Sequence, residues 1–351
     1  MRERFVRTLM ELAREDKNIV LMTGDLGFGV LKPFWEQLPD QSINAGIAEQ
    51  NMLSAAAGMA LAGKTVFVYS IGNFPTLRCL EQIRNSCAYH QANVKIICCG
   101  GGLTYGALGM THHATEELAI MRALPDVTVL SPGDAVEAEA ATRIMAATPG
   151  TCYMRLGRGG EERIHEHLAD FQIGKAIQLR EGKGIAVFST GTIFTEARKA
   201  CSILRQRGYT PALYSVPTIK PIDADEIRRC AKRYSLIVTC EEHNVIGGLG
   251  GAVAEVMAEM RVKRARLLRI GMPDCYASVV GSQPYLRGEY GLEGIHCGVP
   301  CAVGRDGIQG IAELPLTGAE AAALARSAAV IDWHIRLADD IVRACDRNIE
   351  K

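Results

Sequence analysis

Residues 44–57 read NAGIAEQNMLSAAA and set one carboxylate, Glu49, among small and apolar residues at the start of a helical pattern. The pattern runs on to GMALAGK at 58–64 and passes directly into the β-branched run KTVFVYS at 64–70. A helix feeding a strand is one half-turn of an α/β fold, and the neighbouring segments repeat it. NIVLMTGD, VKIICC and VTVLS are further short apolar runs, each followed by a longer stretch of helical periodicity. Such alternation implies a parallel sheet covered by helices. An acid in a first helical turn has a plain explanation, since the helix dipole stabilises it by about 0.3–1 kcal/mol. The surroundings of Glu49 offer more than that. Polar Asn44, the flexible Ala45-Gly46 pair and an apolar helix leave the carboxyl little water, and desolvation favours a protonated, hydrogen-donating form.

Composition narrows the function classes. The chain has 351 residues, room for two or three domains, and balances 39 Lys and Arg against 39 Asp and Glu. With no run of one sign there is no footprint for nucleic acid or an anionic membrane surface. The opening MRERFVRTLMELARED places Phe5, Leu9, Leu12 and Ala13 on one helical stripe and mixes charges of both signs, unlike a signal peptide. No apolar run is long enough to span a bilayer, and the expectation is a soluble cytoplasmic protein. The 12 cysteines are scattered through apolar segments, which reads as buried thiols. Cys297 and Cys301 have a metal-like spacing but lack a second ligand pair nearby, so no metal is expected on this chain.

Residues 1–156 form the first α/β unit in this reading. From Gly157 to Gly184 the pattern dissolves into polar, glycine-bearing sequence, the expected connector. Residues 185–351 resume the alternation: IAVFS, a helix over Thr195–Gln206, TPALYSV, a helix near Asp223–Arg233, SLIVTCEEH, a helix over Leu249–Met260, and RLLRI. This is a second, smaller α/β unit. Residues 281–314 are rich in Gly and Pro, and TGAE at 317–320 has capping-box spacing for a final helix.

The order GIAEQN, apolar helix, strand and SIGNFPTLRCLEQIRN resembles the pyrimidine-binding domain of the transketolase family. NVKIICCGGG, THHATEELAIMRALP, TVLSPGDAVEAEAA and YMRLGR follow in that family's order, and EEHNVIGGLGGAVAE resembles its C-terminal domain. The resemblance runs from roughly Leu21 to Leu292 and rests on several motifs in sequence. It implies two parallel-sheet α/β domains, a thiamine diphosphate pyrimidine-binding domain followed by a transketolase C-terminal-like domain.

By this resemblance Glu49 is the glutamate that hydrogen-bonds the cofactor's aminopyrimidine and activates it. Phe74 stands where the family stacks an aromatic ring on the cofactor, worth about 0.5–1.5 kcal/mol. Ile71 replaces the family's other aromatic, and Arg78 of the same segment is assigned to the cofactor side. His112 matches the substrate-facing histidine, with His113 beside it as a structural residue. Two polar family positions are changed, an aspartate to Leu108 and a histidine to Gly100, which removes hydroxyl partners and puts ordinary pentose phosphates in doubt. Arg158 stands where the family binds substrate phosphate, and a guanidinium fork suits that oxyanion. For the Glu241-Glu242-His243 block the resemblance implies support of the subunit, not catalysis.

The family's N-terminal pyrophosphate-binding domain carries a GDG motif, and this sequence contains none; TGDLGFG at 23–29 matches the start of the pyrimidine-binding half. The chain therefore resembles the C-terminal half of a split transketolase. The implied partner is an N-terminal subunit holding Mg2+ and the diphosphate, in an α2β2 assembly. The implied reaction moves a two-carbon ketol unit from a ketose, phosphorylated or of altered hydroxyl pattern, to an aldehyde. Two other readings stay open. One is a pyruvate- or 2-oxo acid-using relative, like deoxyxylulose-phosphate synthase or a 2-oxo acid dehydrogenase β subunit. The other is a non-catalytic half-chain kept for assembly or regulation.

Overall fold

The computed structural model describes residues 1–291 apart from 169, 263 and 264, together with a short hairpin at 301–304 and 307–311. The helix expected from Thr317, Cys297 and the side chain of Cys301 lie outside the described residues.

The first sheet is built from β1 (Ile19–Thr23), β2 (Ser42–Asn44), β3 (Thr65–Ile71), β4 (Val94–Cys99), β5 (Val127–Leu130) and β6 (Thr151–Leu156). All pair in parallel, in the order β5-β6-β4-β3-β1-β2. Every residue of β1, β4 and β6 is buried, as expected of strands covered on both faces. The cover is α1 (Arg2–Glu15), α2 (Lys32–Gln37), α3 (Glu49–Leu61), α4 (Leu80–Gln82, running into a π-helical turn at Ile83–Ala88), α5 (Glu117–Ala123) and α6 (Ala135–Ala147). The stripe expected near the N-terminus is present: Phe5, Leu9 and Ala13 of α1 are wholly buried. Each large apolar side chain so removed from water contributes about 1.5–3 kcal/mol.

The second sheet holds β7 (Ile177–Arg180), β8 (Ile185–Ser189), β9 (Ala212–Ser215), β11 (Leu236–Asn244) and β12 (Arg266–Met272), in the order β12-β11-β8-β9-β7. Its helices are α7 (Phe194–Gln206), α8 (Ala224–Arg233), α9 (Leu249–Ala258) and α10 (Gln283–Glu289). Asp223 caps α8 by accepting from the Glu226 amide at 3.1 Å. The hairpin strands β13 (Cys301–Gly304) and β14 (Gly307–Ile311) pair with each other.

β2 and β6 lie inside the first unit although the sequence reading named no strand run there, and two further strands depart from its segment boundaries. β7 lies within the stretch read as connector and closes the second sheet antiparallel to β9. β10 (Thr218–Lys220) follows β9 in the chain yet pairs antiparallel with β5, as the seventh strand of the first sheet. An edge strand is paired on one side only, so a short polar segment suffices there. The second half thus lends the first a strand, and Lys220 reinforces it by donating to the Arg122 and Leu124 carbonyls. Among the cysteines whose side chains are described, all but Cys275 are buried and none is in a disulfide.

Candidate active site

In open parallel sheets, ligands collect beyond the carboxyl ends of the strands. Here the ends of β1, β3, β4 and β6 carry, in order, the Gly24 turn, Ile71, Gly100 and the Gly157-Arg158 turn, and the sequence-assigned residues gather along that edge. Gly72 shows how tightly: a Cβ on it would come within 2.6 Å of the Ala114 Cβ and 3.5 Å of the Gly100 carbonyl.

Glu49 opens α3. Its N-cap, Ala48, has no side chain to offer the free amides, so the acid faces the helix dipole alone. The carboxyl is 3 % exposed, which meets the expectation of a dry setting. Asn44 shapes the turn leading into it, its Oδ1 accepting from the Asp25 and Gly46 amides at 3.0 Å each. One carboxyl oxygen, Oε2, accepts from Arg78 Nη1 at 2.8 Å. The other, Oε1, has no hydrogen-bond partner among the described residues, which leaves that oxygen free to meet a ligand. Arg78 is itself half exposed, and its guanidinium lies 4.8 Å from the Phe74 ring centroid. Sequence reasoning put Arg78 on the cofactor side; the structure adds that it bridges the acid and the aromatic ring.

Phe74 and His112 meet edge to face, their ring centroids 5.3 Å apart at 67°. His112 is half buried on a single helical turn, with Nδ1 3.1 Å from the Thr111 hydroxyl, so its remaining nitrogen is available. His113 points inward, its Nε2 3.4 Å from the Gly106 carbonyl and its backbone carbonyl accepting from Asn73 Nδ2. Burial depresses the His113 imidazole below the usual range. Ile71 ends β3 half buried.

Gly100 is not the empty position its missing side chain suggested. Its φ is +84°, and a Cβ there would run into the Tyr105 ring at 2.0 Å. The room is filled by an aromatic side chain that sequence reasoning had not singled out. The signal was a glycine run followed five residues on by a tyrosine, which reads as loop. Leu108 stands 55 % exposed on the turn Gly106–Leu108. Arg158 is exposed and makes no hydrogen bond or ion pair among the described residues; its guanidinium rests 5.5 Å from the Tyr105 ring centroid.

The glutamate pair of β11 is engaged elsewhere. Successive strand residues point to opposite faces, so Glu242 parts from Glu241 and His243. Glu241 accepts from the Leu249 and Gly250 amides at 2.6 and 2.7 Å, capping α9, and burial pushes its carboxyl up to about 7. His243, held down to about 3 by burial and the nearby Arg155 charge, donates Nδ1–H to the Asn244 carbonyl at 2.7 Å and accepts the Ala119 amide at 3.3 Å. Glu242 accepts from the Leu103 amide at 2.6 Å, from Gln283 Nε2 at 2.7 Å and from Arg287 Nε at 2.5 Å. The block binds the two halves of the chain together behind the 100–112 loop. Arg155 adds to the seam, pairing with buried Glu117 at 3.0 Å and donating to the Ala114 and Glu242 carbonyls.

These features define a class: a two-domain α/β chain whose buried acid and half-open aromatic wall lie at the carboxyl edge of a parallel sheet, with a second domain bracing the loop beside them. The transketolase pyrimidine-binding domain matches residues 1–160, and the transketolase C-terminal domain matches residues 174–294. The chain belongs to the transketolase family and carries that family's pyrimidine-binding and C-terminal domains. It is 39 % identical over 297 residues to a putative transketolase C-terminal section from Methanocaldococcus jannaschii, covering 84 % of this chain and 92 % of that one. It is 37 % identical over 295 residues to one subunit of an apulose-4-phosphate transketolase from Phocaeicola vulgatus, covering 83 % and 93 %. Among solved structures it resembles a split-gene transketolase described as an inactive β4 tetramer, with a TM-score of 0.75, 33 % identity and coverage of 83 % of this chain and 93 % of that one. Among the described residues no helix is long and apolar enough to cross a membrane.

Proposed function

We propose that this chain is the pyrimidine-side subunit of a thiamine diphosphate-dependent transketolase that passes a two-carbon ketol unit from a ketose to an aldehyde. The observation that carries the reading is Glu49: a buried carboxyl with one oxygen paired to Arg78 and the other unpartnered, beside the half-open ring of Phe74. That donor set suits a flat heteroaromatic ring with a ring nitrogen to hold. When bound, thiamine diphosphate supplies the nucleophilic carbon that makes and breaks carbon–carbon bonds. The chain's own contributions follow from its residues. Glu49 holds a proton at the pyrimidine nitrogen, and Phe74 with Ile71 gives the ring an apolar face. Arg78 balances the charge of Glu49, and His112 moves a proton at a substrate oxygen. Arg158 takes a substrate phosphate.

The diphosphate and Mg2+ are assigned to an N-terminal partner subunit, in an α2β2 complex. In support, the M. jannaschii relative is described as a C-terminal section and the P. vulgatus relative as one subunit of its transketolase. The test is reconstitution with such a partner. Calorimetry should show tight thiamine diphosphate binding with Mg2+ to the mixture and not to this chain alone. NMR of quenched reactions should show the first covalent adduct with a ketose donor. Tight cofactor binding without a partner would sink the split-site reading, and an adduct with pyruvate but no ketose would replace the transketolase reading with the pyruvate-using one.

A further inference from the structure

Arg158 is in an unusual position for an exposed arginine. It sits just after β6, between Gly157 and Gly159, in a turn whose Gly159 amide donates to Glu161 Oε1 at 2.8 Å. The φ of Gly159 is +144° and that of Gly160 is +83°. No carboxylate and no carbonyl holds the guanidinium among the described residues; it rests instead on the face of Tyr105, 5.5 Å from the ring centroid. The ring is fixed from below. Its edge fills the room above Gly100, where any Cβ would collide with it at 2.0 Å, and its hydroxyl lies 3.6 Å from the Cys99 thiol. A cation lying on an aromatic face keeps all its N–H donors free at its rim, whereas one paired with a carboxylate does not.

We infer that Tyr105 is a positioning residue for substrate recognition: seated on the bare backbone of Gly100, it holds the Arg158 guanidinium unpaired at the sheet edge and so sets the preference for a phosphorylated donor. The inference rests on the proposed function, in which Arg158 takes the phosphate. It assigns the Gly100 position a purpose. Absence of a side chain there admits the ring, and the ring replaces a hydroxyl partner with a platform for the anion's partner. Selectivity at this corner is therefore for the charged end of the donor rather than for its hydroxyls.

The experiment compares kcat/KM for xylulose 5-phosphate with that for hydroxypyruvate, a donor with no phosphate, in the complex reconstituted with the N-terminal subunit. The ratio of the two is independent of the active fraction, so a variant that folds in lower yield still reports. Arg158→Ala should lower the ratio by about tenfold or more, the loss of a charge-assisted contact, through KM and not kcat. Tyr105→Leu should lower it by about three- to tenfold, the range of a partly exposed cation–π contact. Tyr105→Phe, which keeps the ring face, should stay within about twofold of wild type by the same reasoning. Gly100→Ala, which evicts the ring, should behave as Tyr105→Leu does. If Arg158→Ala lowers the ratio and Tyr105→Leu does not, the positioning role is overturned while the phosphate assignment stands. If neither lowers it, Arg158 does not take the phosphate and both fall.

Discussion

Replacing Glu242 with alanine tests the coupling between the two halves of the chain most directly. The carboxyl is 3 % exposed and satisfies three donors: the Leu103 amide at 2.6 Å, Gln283 Nε2 at 2.7 Å and Arg287 Nε at 2.5 Å. Removing it strands a guanidinium that is itself only 9 % exposed and keeps the Thr192 hydroxyl at 3.0 Å as its remaining side-chain partner. Breaking a buried pair from one side costs about 3–5 kcal/mol, chiefly the charge left behind. Losing the acceptor of one buried amide adds about 1–3 kcal/mol, and the two overlap because they share one carboxylate. The expected cost is therefore about 4–6 kcal/mol, a large part of the stability of an ordinary domain.

Two measurements separate this from a general loss of packing. Urea unfolding of Glu242→Ala, Arg287→Met and the double variant forms a cycle. The double should be less damaged than the sum of the singles, since it leaves no charge unpaired. Native-state hydrogen exchange should show the Leu103 amide losing protection selectively, ahead of amides in β4. A Glu242→Ala variant that unfolds within about 1 kcal/mol of wild type, with Leu103 still protected, would refute the bridge as described.

Three further outcomes are expected. Glu49→Gln should preserve folding and assembly, because the residue keeps its volume and its pair with the half-exposed Arg78 is worth about 1 kcal/mol or less. In the assembled enzyme, exchange of the cofactor's acidic ring hydrogen should fall by orders of magnitude, read by NMR after acid quench; wild-type exchange would remove Glu49 from its role. His165 Nε2 lies 2.7 Å from Glu137, and although burial alone would depress the imidazole, the carboxylate holds it above its ordinary value. Because the folded value is the higher, the pair's stabilisation is fully present below about pH 6.5 and is lost as pH rises through the folded value. Melting curves of wild type and His165→Gln should accordingly differ most on the acid side, and an equal gap at acid and alkaline pH contradicts this. Leu108→Asp, on an exposed turn, should change melting by only a small amount and should raise kcat/KM for xylulose 5-phosphate if the turn faces the donor; unchanged donor preference shows that it does not.

What the sequence disclosed and what it withheld divide along a physical line. Alternating β-branched runs and amphipathic stretches are local patterns, and they yielded the α/β class, the strands from β3 to β5 and β8, and the helices α7 to α9 nearly to the residue. β7 and β10 were missed because IQLR and TIK are short and half polar, and an edge strand is specified by the partner it finds. For β10 that partner is β5, far upstream in the chain, with Thr218 opposite Leu130. The dry setting of Glu49 was legible from the small and apolar residues around it, while its role came from the family resemblance, since an acid in a first helical turn is by itself an ordinary dipole partner. Its bond to Arg78 was not legible, since nothing in NAGIAEQN indicates which of the chain's arginines folds back over it.

Tyr105 is the sharper case. A glycine read alone states that a side chain is absent, and the natural inference was a pocket missing a polar partner. In three dimensions the absence at Gly100 is the condition for a presence, because a φ of +84° and a bare Cα are the conditions under which a ring can occupy that corner. A substitution at one site and the residue that fills its space are one event in the fold and two unrelated letters in the chain. On the proposed function, donor preference is to be sought in the Tyr105–Arg158 pair, where the guanidinium rests on an aromatic face, before it is sought in the hydroxyl partners that positions 100 and 108 lack.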